Sequence, residues 1–386
     1  MSLPSPAVPV LTPVGSGWAR ERLWLGMSNV GFWVVIAAAI IAFGMPDLGF
    51  GDADALILLG AYVALQAPFD LVGGWWLQRR HRRGAQGLGR FLATWARGVA
   101  VQVGLFTLAG ASALGLYSFF GGFSVIAGAL VGMVMLLGLQ GPLIWITTGL
   151  RTRTLTRTEA DLATQAGLDP SIVRVVHARD DSFVGGWMGL PGAETLVVPH
   201  VWSHALSEEG WVAQLRRRAV ARASGQRLRG VLLALTWNTA GLAIGVMLYG
   251  VADAGALVQV IAAYTLWSFV GVLLLPSASR RGVYAVDSAA ANGGADPTAL
   301  RGALRDLDGL QDDEPARSDV VESIFHPVPA LSRREEALRS ATPQSGGAWH
   351  AARMSLLLSQ ALASPLSRAV HCNIGRPELW AAYPGD

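Results

Sequence analysis

The sequence predicts a mainly α-helical, polytopic membrane protein, with six transmembrane helices and an α+β domain on the cytoplasmic side. Three observations predict it. Of 386 residues, 52% are hydrophobic and only 15% charged, which is too apolar for an ordinary soluble protein. The stretches 24–43, 55–76, 100–120, 125–146, 231–251 and 257–275 are apolar and long enough for a hydrocarbon layer about 30 Å thick, which takes about 20 helical residues. If these stretches alternate, the arginines of 79–90, 151–157, 216–229 and 280–281 fall on one side, while the opposite loops carry acid or nothing. By the positive-inside rule that side is cytoplasmic, and both termini lie on it in a cytoplasmic (inner) membrane.

The chain then divides in order. Residues 1–23 read as a flexible cytoplasmic tail, since the Pro-rich start lacks the basic region, apolar region and small-residue cleavage site of a signal peptide. Residues 24–150 hold four spans. Asp70 and Arg97 lie close to the cytoplasmic ends of the second and third, where an ion pair would satisfy both. No span carries an acid near its middle, which argues against a proton-coupled transporter or channel. Gly104, Gly110, Gly115, Gly128 and Gly132 allow close helix contact.

Residues 151–228 form a cytoplasmic segment. A helix with Glu159 and Asp161 in its first turn ends at Asp169-Pro170, 172–176 has strand character, and 181–186 with 195–198 suggest a hairpin or short sheet. Helices follow at 200–207 and 208–225. Residues 229–276 hold two more spans. Residues 277–340 return to the cytoplasm with a short helix at 284–291, another at 298–307, an acidic linker at 312–315 and a charged helix at 331–339. Residues 341–386 read as a linker, an amphipathic helix at 348–363 and an irregular tail. All 30 basic residues are Arg, and they sit beside apolar spans and form no separate basic domain, so a nucleic-acid role gains little support. The single cysteine, Cys372, excludes an intrachain disulfide and fits a reducing compartment.

Candidate chemistry centres on the helix that opens at Ser207-Glu208-Glu209 and runs into the fifth span. A membrane zincin carries H-E-x-x-H on such a helix, two His one turn apart with a Glu as general base. Here the body of the helix holds Arg216, Arg217, Arg218 and Arg222, and from 211 to 228 there is no His, Glu, Asp or Cys. His200 and His204, with Glu208 a turn further on, share a face that would suit a metal, although Val201 stands where a general base would be. An exposed His pair capping a surface helix is the plainer reading. His371-Cys372 admits a soft metal or an ordinary tail. The arginines before the fifth span either seat the helix on anionic lipid headgroups, at about 1 kcal/mol each, or only set topology.

Four landmarks in order resemble the type I CAAX prenyl protease and HtpX-type family of membrane zinc metallopeptidases, over roughly 173–339. Asp181-Ser182-Phe183-Val184-Gly185 followed by Thr195–Val198 is similar to the family's N-A-F-x-x-G and edge-strand region. Leu206-Ser207-Glu208-Glu209 is similar to its L-S-x-E-E approach to the zinc helix. After two spans, Ser279-Arg280 through Val286-Asp287 is similar to S-R-x-x-E-x-x-A-D, and His326-Pro327 with Arg333 and Leu338 to its H-P segment. The resemblance implies a zincin-like domain in which Asp287, His326 and Arg333 are retained. It makes Phe183, Val184, Gly185, Leu196 and Val197 a possible peptide-binding edge. It also locates the departures, since the zinc-helix positions fall within 215–222 and the third ligand falls on Val283. A hydrolytic zinc needs three protein ligands and an open position for water, and Arg at a ligand position repels a dication.

The resulting expectation is a metallopeptidase-like protein that is catalytically inactive and holds no cofactor. It would bind membrane lipids and serve as a scaffold or accessory subunit of a larger membrane complex. The alternative is a zinc endopeptidase with relocated ligands at His200, His204 and Glu208.

Overall fold

The computed structural model describes residues 17–46, 53–83, 86–150, 152–178, 180, 182–340 and 346–381. Residues 1–16 of the N-terminal tail, most of the acidic loop before the second span, Arg151, Asp181, most of the 342–347 linker and the end of the tail lie outside the described residues; residues 17–23, expected as flexible tail, are instead the start of the first helix.

Five helices are long and apolar enough to cross a bilayer: α1 (Gly17–Phe43), the composite Ala53–Arg80, α4 (Leu88–Phe120), α10 (Gln226–Tyr249) and α11 (Ala254–Asn292). The composite consists of α2 (Ala53–Leu71), a π-helical turn at Val72–Trp76 and α3 (Leu77–Arg80). The expected fourth span is broken. α5 (Gly122–Gly138) and α6 (Gln140–Thr148) meet at 70°, and count as a sixth crossing only if taken as one. The cause is local. Leu139 leaves helical geometry at φ −92° and ψ 6°, and Pro142, which has no N–H to donate, sits in the first turn of α6 where no donor is needed.

A second correction concerns α11. The separate short helix expected at 284–291 is the end of the same 39-residue rod that makes the last span. Pro276 lies inside that rod without ending it. The sixth span thereby carries Val283 and Asp287 rigidly into the domain below.

The domain holds a four-stranded sheet in the order β1-β2-β4-β3, made of β1 (Thr152–Arg153), β2 (Val173–Val176), β3 (Gly186–Met188) and β4 (Thr195–Pro199). β4 runs parallel to β2 and antiparallel to β3, pairing Val175 with Val198 and Trp187 with Leu196. β4 is buried on both faces. Leu196 and Val198 join Trp202, Trp211, Leu215, Val283 and Val286 in the main core, while Val197 joins Phe183, Met188, Ile144 and Leu379 in another. α7 (Arg157–Gln165) begins at a capping box in which Thr156 and Glu159 satisfy each other's backbone N–H groups. α8 (Trp202–Ala205) leads to α9 (Glu208–Ala223), capped by the Ser207 hydroxyl accepting from the Gly210 N–H at 3.1 Å.

After α11 come α12 (Pro297–Gln311), α13 (Asp319–Phe325) and α14 (Leu331–Ser340). The expected amphipathic helix at 348–363 is α15 (Ala351–Leu358) plus a 3-10 turn at Ser359–Leu362. The tail read as irregular forms another such turn at Pro365–Arg368 and the short α16 (Pro377–Trp380), and no residue from 348 to 381 is exposed. Asp70 therefore pairs with Arg368 at 3.3 Å, whereas Arg97 approaches Gly149 on α6.

Candidate functional site

The helix that would carry metal ligands turns two arginines inward. Arg217 and Arg218 on α9 are both 0% exposed. Neighbouring helical residues point about 100° apart, so the two reach different partners. Arg217 faces α11, and its Nε donates to Asp287 Oδ1 at 2.5 Å. The same carboxylate accepts from Arg334 of α14, Nε to Oδ2 at 2.8 Å and a terminal nitrogen to Oδ1 at 3.0 Å. Two guanidiniums thus share this one carboxylate. Arg218 faces the sheet side, donating to the Val184 carbonyl at 2.8 Å and to Gln214 Oε1 at 3.3 Å, with its guanidinium 4.4 Å from the Trp202 ring centre. Trp187 on β3 closes the loop by donating its indole N–H to the Arg218 carbonyl at 2.8 Å.

Such a network is stable only as a unit. Burying an ion costs several kcal/mol even after relaxation, and paired geometry with satisfied donors offsets that cost. Arg222 and Arg227 repeat the pattern nearby, both on buried Glu194 at 3.1 and 3.2 Å. Arg216 donates to the carbonyls of Gly294 and, at 2.8 Å, Gln165. Most of the arginines that read from sequence as a lipid-facing cluster thus have partners within the domain, while Arg229 is exposed.

The residues present do not fit a zinc ion. Val283 is 0% exposed and packs in the same core as Leu215 and Trp211, so aliphatic groups fill the position where the resemblance puts the third ligand. Asp287, the remaining carboxylate, is engaged by two guanidiniums, and a dication there would meet fixed positive charge. Among the described residues no group of three or more His, Cys, Asp or Glu side chains stands where it could hold a metal ion.

His200 and His204 do lie together, ring centres 5.3 Å apart, and His177 joins them at 4.2 Å from His200. Glu208 opens the next helix and completes no such group. Burial, with the two neighbouring imidazoles, lowers the pKa of His200. His326 is buried against His371 at 5.0 Å, and burial, with Arg317 and His371, holds its pKa well below the usual histidine value. Its carbonyl accepts from Arg280 at 2.7 Å, which ties the 326–330 loop to α11. Arg333 contacts Asp319 and reaches Glu322 at 3.2 Å. Its neighbour Arg334 is the one that holds Asp287. Only packing decides which of two consecutive arginines faces inward.

The peptide-binding edge also needs correcting. Leu196 and Val197 sit on β4, an inner strand with a neighbour on each side, so they offer no free edge. The edge strand is β3, and Phe183, Val184 and Gly185 lead into it. Val184 is 0% and Phe183 3% exposed. Met188 of β3 packs with Leu379 and Ala381, so the 376–381 segment stands beside this edge.

No family model and no curated protein matches the sequence. Among solved structures the chain is similar to Ste24p of S. mikatae, with a TM-score of 0.61 and 13% identity, covering 81% of this chain and 81% of that one. At that identity the likeness shows the fold. The chain is a multi-pass membrane protein with the fold of Ste24p.

Proposed function

We propose that the chain is a membrane-embedded, metallopeptidase-like protein that binds rather than cleaves, a relative of the CAAX prenyl protease and HtpX-type enzymes acting as a scaffold or accessory subunit. The observation that carries this reading is the buried Arg217–Asp287–Arg334 cluster beside Val283, arginine and aliphatic side chains where the family resemblance would have zinc ligands. The motifs at 181–185, 206–209, 279–287 and 326–338 and the Ste24p fold support the relationship. The arginine distribution supports a cytoplasmic (inner) membrane with both termini inside, and exposed arginines such as Arg79, Arg80 and Arg229 support contact with anionic headgroups. The deciding experiment is metal analysis of purified protein together with hydrolysis of an unstructured polypeptide. We expect substoichiometric zinc and no chelator-sensitive cleavage; stoichiometric zinc with cleavage abolished by chelator refutes the reading.

A further inference from the structure

Two cavities of different chemistry adjoin at the N-terminal end of α1. The first is polar and small, about 50 Å³, with Arg22, Arg317, Arg334, Arg353 and Arg376 in its wall against Asp308 and Asp312. A water needs about 10–15 Å³ of such space, so the cavity has room for about three to five waters or for one oxyanion of phosphate size. The second, about 340 Å³, is an apolar groove between α1 and α11. It follows α1 from Leu23 to Gly31, a rise of about 12 Å at 1.5 Å per residue. Gly31 is exposed, and Phe269 and Val272 on the α11 side are half-buried, so the groove opens sideways towards the bilayer. Its volume is at the low end for a ligand pocket, about 300–1,000 Å³, and suits a single hydrocarbon chain. Pro327, Arg353, His371 and Cys372 line both cavities, which places the polar one at the head of the apolar one.

The polar cavity offers hydrogen-bond donors. Arg22 donates to Asp312 and to the carbonyls of Gln311 and His371. Arg317 donates to Glu314, Asp312 and the Val328 carbonyl, and Arg376 to Asp180, Ser182 and the Cys372 carbonyl. A guanidinium has five N–H donors, so each of these three keeps N–H groups beyond those contacts among the described residues. The carboxylates hold the arginines in place without exhausting them.

His326 supplies the second observation. It lines the same cavity, is 5% exposed, and its Nε2 has no hydrogen-bond partner among the described residues. Buried polar atoms are ordinarily partnered. Burial, with Arg317 and His371, holds its pKa well below the usual histidine value, so the ring is neutral and carries one N–H. An oxyanion can accept from that N–H and from the guanidiniums at once, and charge-assisted bonds of this kind are the strong ones.

We propose that the two cavities form one site for a single-chain anionic lipid from the leaflet on the Arg22 side. Its phosphate head enters the cavity walled by Arg22, Arg353 and His326, and its hydrocarbon chain lies in the groove between α1 and α11. This goes beyond headgroup contact at exposed arginines, because the head is enclosed and the chain has a groove of its own. It is also independent of whether the chain holds zinc: Arg334 touches both places, but metal content and lipid binding are read separately.

Cys372, the single cysteine, lines both cavities, so an occupant covers it. The test is its rate of labelling by N-ethylmaleimide in the full chain in detergent micelles. Oleoyl lysophosphatidate is expected to slow labelling saturably by about tenfold, since thiol reactivity depends on access, while oleoyl lysophosphatidylcholine and inorganic phosphate leave it unchanged. Arg353→Gln, with a normal size-exclusion profile, should raise the half-protecting concentration about fivefold, as expected for one basic residue at a headgroup. A Cβ at Gly31 meets nothing within 4 Å, so Gly31→Trp fills the groove without disturbing a neighbour and should abolish protection. That variant also separates occupancy of the site from the charge the lipid adds to the micelle. Equal protection by the choline lipid, protection by phosphate alone, no protection by lysophosphatidate, or full protection retained in either variant overturns the proposal.

Discussion

The α9–α11 junction and the part of the span bundle around Asp70 are both buried, yet they are closed by opposite means. At the junction, large charged side chains supplied by the surrounding helices fill the space, and each guanidinium is matched to a carboxylate, a carbonyl or a ring face. In the bundle the helices give up volume at Gly26, Gly74 and Gly98 and leave single polar groups, and a distant piece of chain completes them. The first is a network of neighbouring side chains and carbonyls, in which the Gln214 amide nitrogen and the Trp202 indole nitrogen find no hydrogen-bond acceptor. The second is completed by residues 364–381, which contact α1, α2, α4 and α6.

Substitutions should break the two regions in different ways. The largest effect is expected of Asp287→Ala, which leaves Arg217 and Arg334 buried without their carboxylate. A loss of about 3–5 kcal/mol follows, seen as collapse of the melting transition in detergent, and Asp287→Asn should do little better. Gly74→Ala should cost about 1–3 kcal/mol by overpacking, and unlike Asp287→Ala it should speed Cys372 labelling in protein that remains folded. Equal effects of the two on labelling would erase the distinction drawn here.

A pH series sharpens the boundary between the regions. Burial, with Arg22 and Arg317, holds the His371 pKa at about 3, against an ordinary 6.5, and His326 is lowered in the same direction. The unfolded chain therefore takes up a proton as pH falls below 6.5 while the folded chain does not. Stability is complete above 6.5 and is lost on acidification towards 3, at up to about 1.4 kcal/mol per pH unit for one histidine. Asp308, held at about 6 by burial and Asp312, works the other way, so comparison with His371→Gln isolates the histidine contribution. That variant should melt with a shallower decline between pH 6.5 and 5. The smallest effect is expected of Arg229→Gln, within about 0.5 kcal/mol because the side chain is exposed; a melting shift as large as that of Arg218→Gln would mean the exposed arginine is also structural.

Much of the fold was legible because it rests on local or periodic signals. The spans follow from length and apolarity, α9 from Ser207 and the acids behind it, and β4 from the run at 195–198, whereas its partner strand is Gly186–Met188 and not the expected 181–186. The bend at Leu139 was missed because an apolar stretch reads the same whether straight or folded on itself. The α11 rod was missed because the change from apolar to charged residues near Ser279 looks like an end, although nothing there stops the helix. The glycines singled out from sequence were mostly not the close contacts, since Gly104, Gly115 and Gly132 have nothing within 4 Å. At the candidate site, the run of arginines at 216–222 could be read directly, but Arg334 and Glu194 could not be named as partners without the packing.

By itself the sequence determined that the chain enters a membrane several times and that residues 211–228 hold no His, Glu, Asp or Cys, because hydropathy and residue identity are properties of short stretches. Only the tertiary structure decided that Asp70 belongs with Arg368, Asp287 with Arg217 and Arg334, and residues 364–381 with the inside of the bundle. Those pairings join positions far apart in the chain, and a buried charge carries no mark of its partner until the backbone brings the two within hydrogen-bonding reach.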